Sequence, residues 1–449
     1  MSLRIHMLKI DRIMQNVLQQ RTRIFFVLMV SVWFAVAVTA QEPVVREQTA
    51  GHPVAFEHQI IHQDSSFRVI IPFRIRYDFF VFIRSGISST SDFTASAEVS
   101  AELIDSTGTS VARNIEQIQL TAAGNTPAEL RTQFHQGVIS FSIPRGTYTI
   151  VFTIDDKESK RRFSDAKMTF SVPVQNGMVS GLIPSLKIAD RTFQLFNLGG
   201  DVLFSQEYGF LFISKNNIPS ARYTLKKRHQ DEDENEIIVS DSVVSLTAFL
   251  RTSCTVSPNN TGIELSLHDS PELNTYYFPV DGTMLRQGRY ELTLTFADST
   301  KIMTNFGARW LDMPLSLNDL DLAIEPLQFI TTKGDYSNLR KGSRDSRINK
   351  FEEFWKKKDP TPATAYNEVL HEFYRRVDYA VAAFRTLRDM NGAVTDRGKV
   401  YILNGAPTTT ERLLAPDGAP KEIWKYNSLN KVFTFEDPSK QGNYKLTEH

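Results

Sequence analysis

One pattern occurs twice in this chain and constrains its fold more than any other feature. Gly146-Thr147-Tyr148-Thr149-Ile150-Val151-Phe152-Thr153-Ile154 aligns with Gly288-Arg289-Tyr290-Glu291-Leu292-Thr293-Leu294-Thr295-Phe296. Each copy is a glycine turn feeding a strand with Tyr, aliphatic and Phe side chains at alternate positions and mostly Thr between them. A period of two sets the first group against a core and the second toward water. Arg145-Gly146 and Gln287-Gly288 supply the turn into each strand. The recurrence predicts two β modules, the second a diverged copy of the first.

The surrounding sequence fits that organisation. Phe79-Val81-Ile83 and Val99-Ala101-Leu103 alternate, as do Ile115, Ile118 and Leu120 more loosely, and Asp105-Ser106-Thr107-Gly108 has hairpin chemistry. Short strands at this spacing predict an all-β sandwich over 66–175 after a linker at 41–65, and a second sandwich over 178–310. The 449 residues suggest roughly two to three domains. Modules of about 100 residues bury enough to fold without covalent staples. The chain has one cysteine, Cys254, so it forms no internal disulfide. Within the strand-like Thr252–Val256, Cys254 is expected to be a small buried apolar side chain.

The first forty residues have a different character. The apolar run Ile24–Ala37 follows Arg21 and Arg23 and leads into Val38-Thr39-Ala40. That is the charged, apolar and small-residue order of a secretory signal at 1–40, with cleavage expected before Gln41. The positive flank holds one end on the cytoplasmic side. The run is shorter than the ~20 residues of a comfortable span, so cleavage is expected rather than an uncleaved anchor. No membrane span is expected after it.

Charge excludes one class of partner. The 51 basic residues balance 51 acidic ones, whereas a nucleic-acid binder needs a basic excess to displace phosphate counterions. Lys226–Arg228 against Asp231–Glu236 has the composition of a solvated hairpin end. His52, His58 and His62 cluster near the expected mature terminus, and His58 and His62 have the spacing of helical metal ligands. Gly, Pro and β-branched residues in this stretch favour linker or strand over helix, so no metal site is assigned. Asn259-Asn260-Thr261 fits a glycosylation sequon and equally a polar turn.

Past Met313 the period becomes helical. Leu317, Leu320, Ile324 and Leu327 recur at threes and fours until Pro326 ends or kinks the segment. An exposed connection is expected over Thr331–Ser346. Ile348, Phe351, Phe354 and Trp355 then make the apolar stripe of a short helix, stopped by Asp359-Pro360-Thr361-Pro362. Thr361 or Thr364 is expected to cap a longer helix reaching about Arg388. Its buried face is Val369, Phe373, Val377, Ala380, Phe384 and Leu387, with Glu372, Arg375, Arg376, Arg385 and Arg388 largely outside it. Val400–Leu403 looks like a strand ending in the turn Asn404–Pro407. Ile423–Tyr426 and Val432–Phe435 look like a strand pair. The fold class is therefore mainly β with an α+β C-terminal domain: two tandem sandwiches, a helical linker over 314–365, and helices on a small antiparallel sheet over 366–449.

Phe354-Trp355, Asp359–Pro362, Asn367-Glu368, Tyr374-Arg375-Arg376, Thr395–Gly398, Tyr401-Ile402, Gly405-Ala406-Pro407 and Trp424-Lys425-Tyr426 occur in an order and spacing that resembles the GWxTD domain family over about 315–446. The naming motif departs at one position, Gly392-Ala393-Val394-Thr395-Asp396, where Ala393 replaces the family tryptophan. The resemblance implies an exported protein and brings no activity with it.

Candidate site residues follow from this segment. Trp355, Trp424 and Tyr426 are either an aromatic platform for sugar or peptide or the core under the sheet. Thr395, Asp396 and Arg397 are either chemistry, a threonine activated by a base, or the caps of a turn between helix and strand, with Arg397 paired to a helix carboxylate. Capping and core are the better fit, since His371 is the nearest histidine in sequence. No catalytic residue, metal or cofactor is assigned. The expected role is an exported envelope factor that binds or assembles envelope proteins, located in the periplasm, at the outer membrane or outside the cell. A glycan or peptidoglycan binder and a hydrolase using Asp396 are the alternatives.

Overall fold

A computed structural model describes residues 53–63, 66–84, 93–124, 130–131, 133–172, 180–228, 235–259, 262–386, 389–414 and 418–448. The signal-like segment, His52, Asp231, Asn260, Thr261, Leu387 and Arg388 lie outside them. The fold is mainly β, with helices confined to the C-terminal region and packed beside a small sheet. The chain divides into two compact units, one ending at Asp312 and one beginning at Met313.

The first sandwich holds β1 (Val54–Phe56), β2 (Gln59–Gln63), β3 (Ser66–Arg76), β4 (Ile83–Arg84), β5 (Phe93–Asp105), β6 (Ser110–Ala122), β7 (Phe134–Ile143), β8 (Thr147–Asp156) and β9 (Arg162–Ser171). β2 and β7 flank β3 in one sheet, and the other runs β9-β8-β5-β6. Alternation sorts the side chains: Val69, Ile71, Phe73 and Ile75 meet Val99, Leu103, Ile150, Phe152 and Ile154 between the sheets. Residues 54–63, expected as linker, instead supply β1 and β2, because their β-branched and aromatic side chains complete this core. His58 is thus not on a helix, and its ring stacks near Phe170 at 4.8 Å.

The second sandwich repeats the arrangement and adds to it. It contains β10 (Ile183–Ala189), β11 (Thr192–Leu195), β12 (Val202–Leu203), β13 (Tyr208–Ser214), β14 (Ser220–Arg228), β15 (Glu236–Ser245), β16 (Thr247–Phe249), β17 (Thr252–Asn259), β18 (Gly262–Asp269), β19 (Asn274–Val280), β20 (Gly288–Thr295) and β21 (Lys301–Arg309). One sheet runs β12-β21-β20-β14-β15 and the other β16-β19-β13-β10-β11-β18-β17. Strand for strand, β10-β13-β19 has the order of β2-β3-β7, and β21-β20-β14-β15 that of β9-β8-β5-β6. The core common to both is a three-on-four antiparallel sandwich of immunoglobulin-like type. The two glycine-tyrosine strands, β8 and β20, occupy the same place in each.

The larger sheet of the second sandwich is covered on both faces at β13. Tyr208, Phe210 and Phe212 point into the second sandwich, while Leu211 and Ile213 meet Ile61 and Ile70 of the first. All seven residues of β13 are therefore buried, and the strand reads as a nearly continuous apolar run. Cys254 lies in this seam, where burial pushes its thiol up to about 12. A loop at Asn197–Asp201, with positive φ at Asn197, Gly199 and Gly200, reaches the first sandwich: Asn197 Nδ2 donates to Phe73 O at 2.9 Å. Beside it Glu57 is 5% exposed. Burial above all, with the charge of Asp201 adding to it, raises the Glu57 carboxyl to about 7.

The C-terminal unit contains α1 (Leu320–Ile324), α2 (Lys333–Arg340), α3 (Arg344–Lys356), α4 (Glu368–Ala383) and α5 (Asp396–Asn404), then β22 (Thr409–Leu413), β23 (Lys421–Tyr426), β24 (Lys431–Glu436) and β25 (Lys445–Glu448) in sequential sheet order. Pro326 opens a 3₁₀ turn directly after α1. Thr331–Ser346 is not a bare connection: it carries α2, capped by Thr332, whose Oγ1 accepts from Asp335 N at 3.1 Å. Nor is 314–365 a linker, because Ile324, Leu327 and Trp355 share one core with Phe373, Val377, Ile402, Trp424 and Phe435. Asn367 caps α4 in place of Thr361 or Thr364, accepting from Leu370 N at 2.9 Å. Arg376 is buried rather than outside, held by Glu372 at 2.6 Å.

Val400–Leu403 is helix, not strand. Its apolar residues alternate over too short a run to tell the periods apart. Thr395 starts the helix, and Gly405 at φ 80° ends it. β22 and β25 were not expected, since Thr409–Leu413 buries no side chain and shows no apolar alternation.

Candidate functional site

The end of α4 and helix α5 pack on the sheet, with Phe384 and Tyr401 against Trp424 of β23 and Asp396 accepting from Leu446 N of β25. Paired residues on the helix-facing side, Thr410 with Trp424 and Arg412 with Glu422, line a cleft of about 800 Å³. The lining also includes Tyr379, Ala383 and Phe384 from the end of α4, with Arg397 and Tyr401 from α5. Ala406 and Pro407 complete the lining.

The walls are aromatic and the floor is ionic. Tyr379 stacks on Tyr401 with centroids 4.4 Å apart and 18° between planes, and Phe384 packs on Trp424 at 5.3 Å. Burial, with the neighbouring Tyr379, raises the Tyr401 phenol above its ordinary value. Tyr379 is 51% exposed, which leaves half of its surface to solvent. Beneath, Arg397 Nη1 donates to Glu422 Oε2 at 3.1 Å, and Trp424 Nε1 donates to Glu422 Oε1 at 2.7 Å. Arg397 also reaches Gly442 O at 3.3 Å and lies over the Tyr444 ring at 4.3 Å. Arg412, at the lip, comes within 3.6 Å of Glu422 with its own side chain 69% exposed.

Of the six sequence candidates, Arg397 and Trp424 line this cleft; the other four do not. Trp355 is 2% exposed and packs on Phe373 at 5.3 Å. Tyr426 donates to Gly405 O at 2.9 Å. Thr395 caps α5, accepting from Gly398 N at 3.1 Å and donating to Gly392 O at 2.7 Å. Asp396 accepts from Leu446 N at 2.9 Å. The capping role of Thr395 is as expected, but it serves a helix. Arg397 pairs with a strand carboxylate where a helix carboxylate was anticipated. His371 meets Tyr366 Oη at 2.5 Å.

Tyr379, Arg412 and Glu422 were missed. A periodicity argument places Tyr379 off the apolar face of α4, and nothing local marks Arg412 or Glu422. Their partnership exists only through strand pairing.

This arrangement suits holding a ligand more than moving protons. Glu422, the carboxylate lining the cleft, already receives Arg397, Trp424 and Arg412. Among the described residues no group of three His, Cys, Asp or Glu is placed to hold a metal. No described helix is long and apolar enough to cross a membrane.

Residues 311–449 match the GWxTD domain family. No curated protein matches the chain. Red sea bream transglutaminase aligns at 9% identity over 58% of this chain and 32% of its own, with a TM-score of 0.16. Purple acid phosphatase PPD1 from yellow lupin seeds aligns at 9% identity over 55% of this chain and 39% of its own, with a TM-score of 0.15. Likeness at that level carries no functional argument. The order of motifs, the shared core of 323–435 and the family match agree: the C-terminal unit is a GWxTD domain, with Ala393 standing where the family has tryptophan.

Proposed function

We propose that this is an exported cell-envelope protein that acts by binding a partner protein, with the cleft of its GWxTD domain as the binding site and the sandwiches as spacer or docking modules. The observation that carries the reading is the cleft itself: an open aromatic trough over an Arg397–Glu422–Trp424 network whose polar groups already satisfy one another. Thr395 and Asp396, the residues a hydrolase would use, are spent on backbone amides. The signal-like first forty residues support export.

The test is affinity capture from a solubilised envelope fraction with the full mature chain, compared with Tyr379→Ala and Arg412→Glu. The expected result is a protein retained by the wild type and lost from both variants. Equal retention by all three would remove the cleft from the function.

A glycan reading rests on the half-exposed Tyr379 ring, since sugars stack on open aromatic faces. It predicts co-sedimentation with peptidoglycan that Tyr379→Ala abolishes. The buried Trp355 does not contribute to it.

A further inference from the structure

The cleft is lined in part by the edge strand of the sheet, β22. Among the described residues β22 pairs with β23 alone, and its five side chains are all exposed. An edge strand leaves a row of unpaired amides and carbonyls, which natural proteins usually guard with charge or cover. Here the two faces of the edge differ. Glu411 turns away from the cleft and pairs with Lys425 at 2.6 Å, whereas Thr410 and Arg412 face into it.

We infer that the occupant of the cleft is an extended polypeptide that adds to β22 as a fifth strand and presents a carboxylate to Arg412. The inference rests on the cleft being the binding site. Strands in a sheet lie about 4.8 Å apart, and their side chains alternate in step. A strand laid beside β22 would therefore send every second side chain into the cleft. Main-chain hydrogen bonds supply affinity in such an addition, and pockets for alternate side chains supply selectivity.

Charge indicates what those side chains are. The cleft is lined by two cations, Arg397 and Arg412, and one anion, Glu422. Arg397 and Glu422 are buried together, their side chains 11% and 4% exposed. Arg412 is exposed, and its fork of donors has capacity beyond one contact at 3.6 Å. A carboxylate opposite Arg412 would complete that capacity with a charge-assisted pair. Two residues along, an aromatic or branched side chain would meet the wall made by Tyr379 and Pro407. A neutral sugar leaves the edge amides and Arg412 unmatched.

The test uses a displayed library of short linear peptides selected on the immobilised full chain, repeated with Arg412→Gln, Arg412→Glu and Tyr379→Ala. Wild-type protein should enrich sequences with an acidic residue two positions from an apolar or aromatic one. Arg412→Gln should weaken the leading peptide about tenfold, the scale of one lost charged partner, and Arg412→Glu should select basic residues at the same place. Bound peptide should slow hydrogen exchange of the Thr409–Leu413 amides at least about tenfold, as new strand pairing does. Peptides enriched without a carboxylate, or exchange in β22 left unchanged, would overturn strand addition. If Tyr379→Ala abolishes peptide binding while β22 exchange never changes, the cleft remains the site and the fifth strand is wrong. If neither cleft variant affects binding, both readings fall. Failure to enrich any peptide counts against strand addition, while the envelope capture experiment still judges the cleft.

Discussion

Tyr148 and Tyr290 make the same bond in different sandwiches. Each hydroxyl donates to the carbonyl four residues earlier, Pro144 O at 3.2 Å and Arg286 O at 2.6 Å, and each ring is buried in its own module's core. This is the tyrosine corner of immunoglobulin-like sandwiches, and it closes the same strand crossing twice. Shared position, shared bond and shared strand order support a duplication. In the second copy β11 and β16–β18 are additions that widen one sheet.

The paired corners give a matched experiment. Replacing either tyrosine by phenylalanine keeps the ring and removes one hydrogen bond, a change of about 1 kcal/mol. Tyr148→Phe and Tyr290→Phe should lower the urea midpoint of this unit by similar amounts. A response from one and not the other would mean that the corners are not equivalent.

Glu57 should make the seam between the sandwiches sensitive to pH. Its carboxyl is raised from 4.5 to about 7 on folding, so between those values the folded state binds more protons than the unfolded chain. Stability must then fall as pH rises through that window. His58 and His135, lowered by burial, lose stability as pH falls and slope the opposite way, so the wild-type curve alone is not diagnostic. The informative quantity is the difference from Glu57→Gln. The variant should gain on the wild type between pH 5 and 8 by on the order of 3 kcal/mol. Parallel unfolding curves across that range would show that Glu57 is not desolvated.

Much of this was legible in the sequence because burial on one face prints a period. Tyr148, Ile150, Phe152 and Ile154 alternate because they line a core, and Val369, Phe373, Val377 and Ala380 recur at helical spacing for the same reason. Where burial is two-sided or absent, the print fades. β13 is buried on both faces, and β22 on neither. Val400–Ile402 is too short to separate strand from helix, although the threonine cap ahead of it and the glycine after it were available signals. The cleft was half legible: Trp424 and Arg397 announce themselves by residue type, whereas Glu422 and Arg412 matter only through pairing across the sheet.

The buried pair on the cleft floor should be costly to break on one side only. Arg397 and Glu422 are both nearly sealed from water, and removing one partner leaves the other charge unpaired at about 3–5 kcal/mol. Glu422→Gln should therefore destabilise the C-terminal unit strongly. Arg397→Met combined with Glu422→Gln should recover most of the loss, because no charge then remains buried. Thermal unfolding of the three variants decides the matter. If the double variant is no better than Glu422→Gln, packing rather than charge holds the floor together.

The motif that names the family builds a tight junction in this chain, which sets the outcome of restoring its tryptophan. A Cβ on Gly392 would stand 2.2 Å from Ala380 O, and one on Gly398 would stand 2.0 Å from Gly392 O. These contacts are with backbone, which cannot swing aside as a long side chain can. In an exposed helix, glycine to alanine gains up to about 1 kcal/mol. Gly398→Ala should reverse that sign, because the clash exceeds the gain. Ala393 lies between these glycines at 0% exposure, and its amide is held by Asn391 Oδ1 at 3.0 Å. An indole added there must force its neighbours apart, and overpacking of this kind costs about 1–3 kcal/mol. Ala393→Trp should accordingly lower the melting temperature of the C-terminal unit. A rise in melting temperature would show that the core keeps room for the family's side chain, and that this part of the packing is looser than its contacts imply.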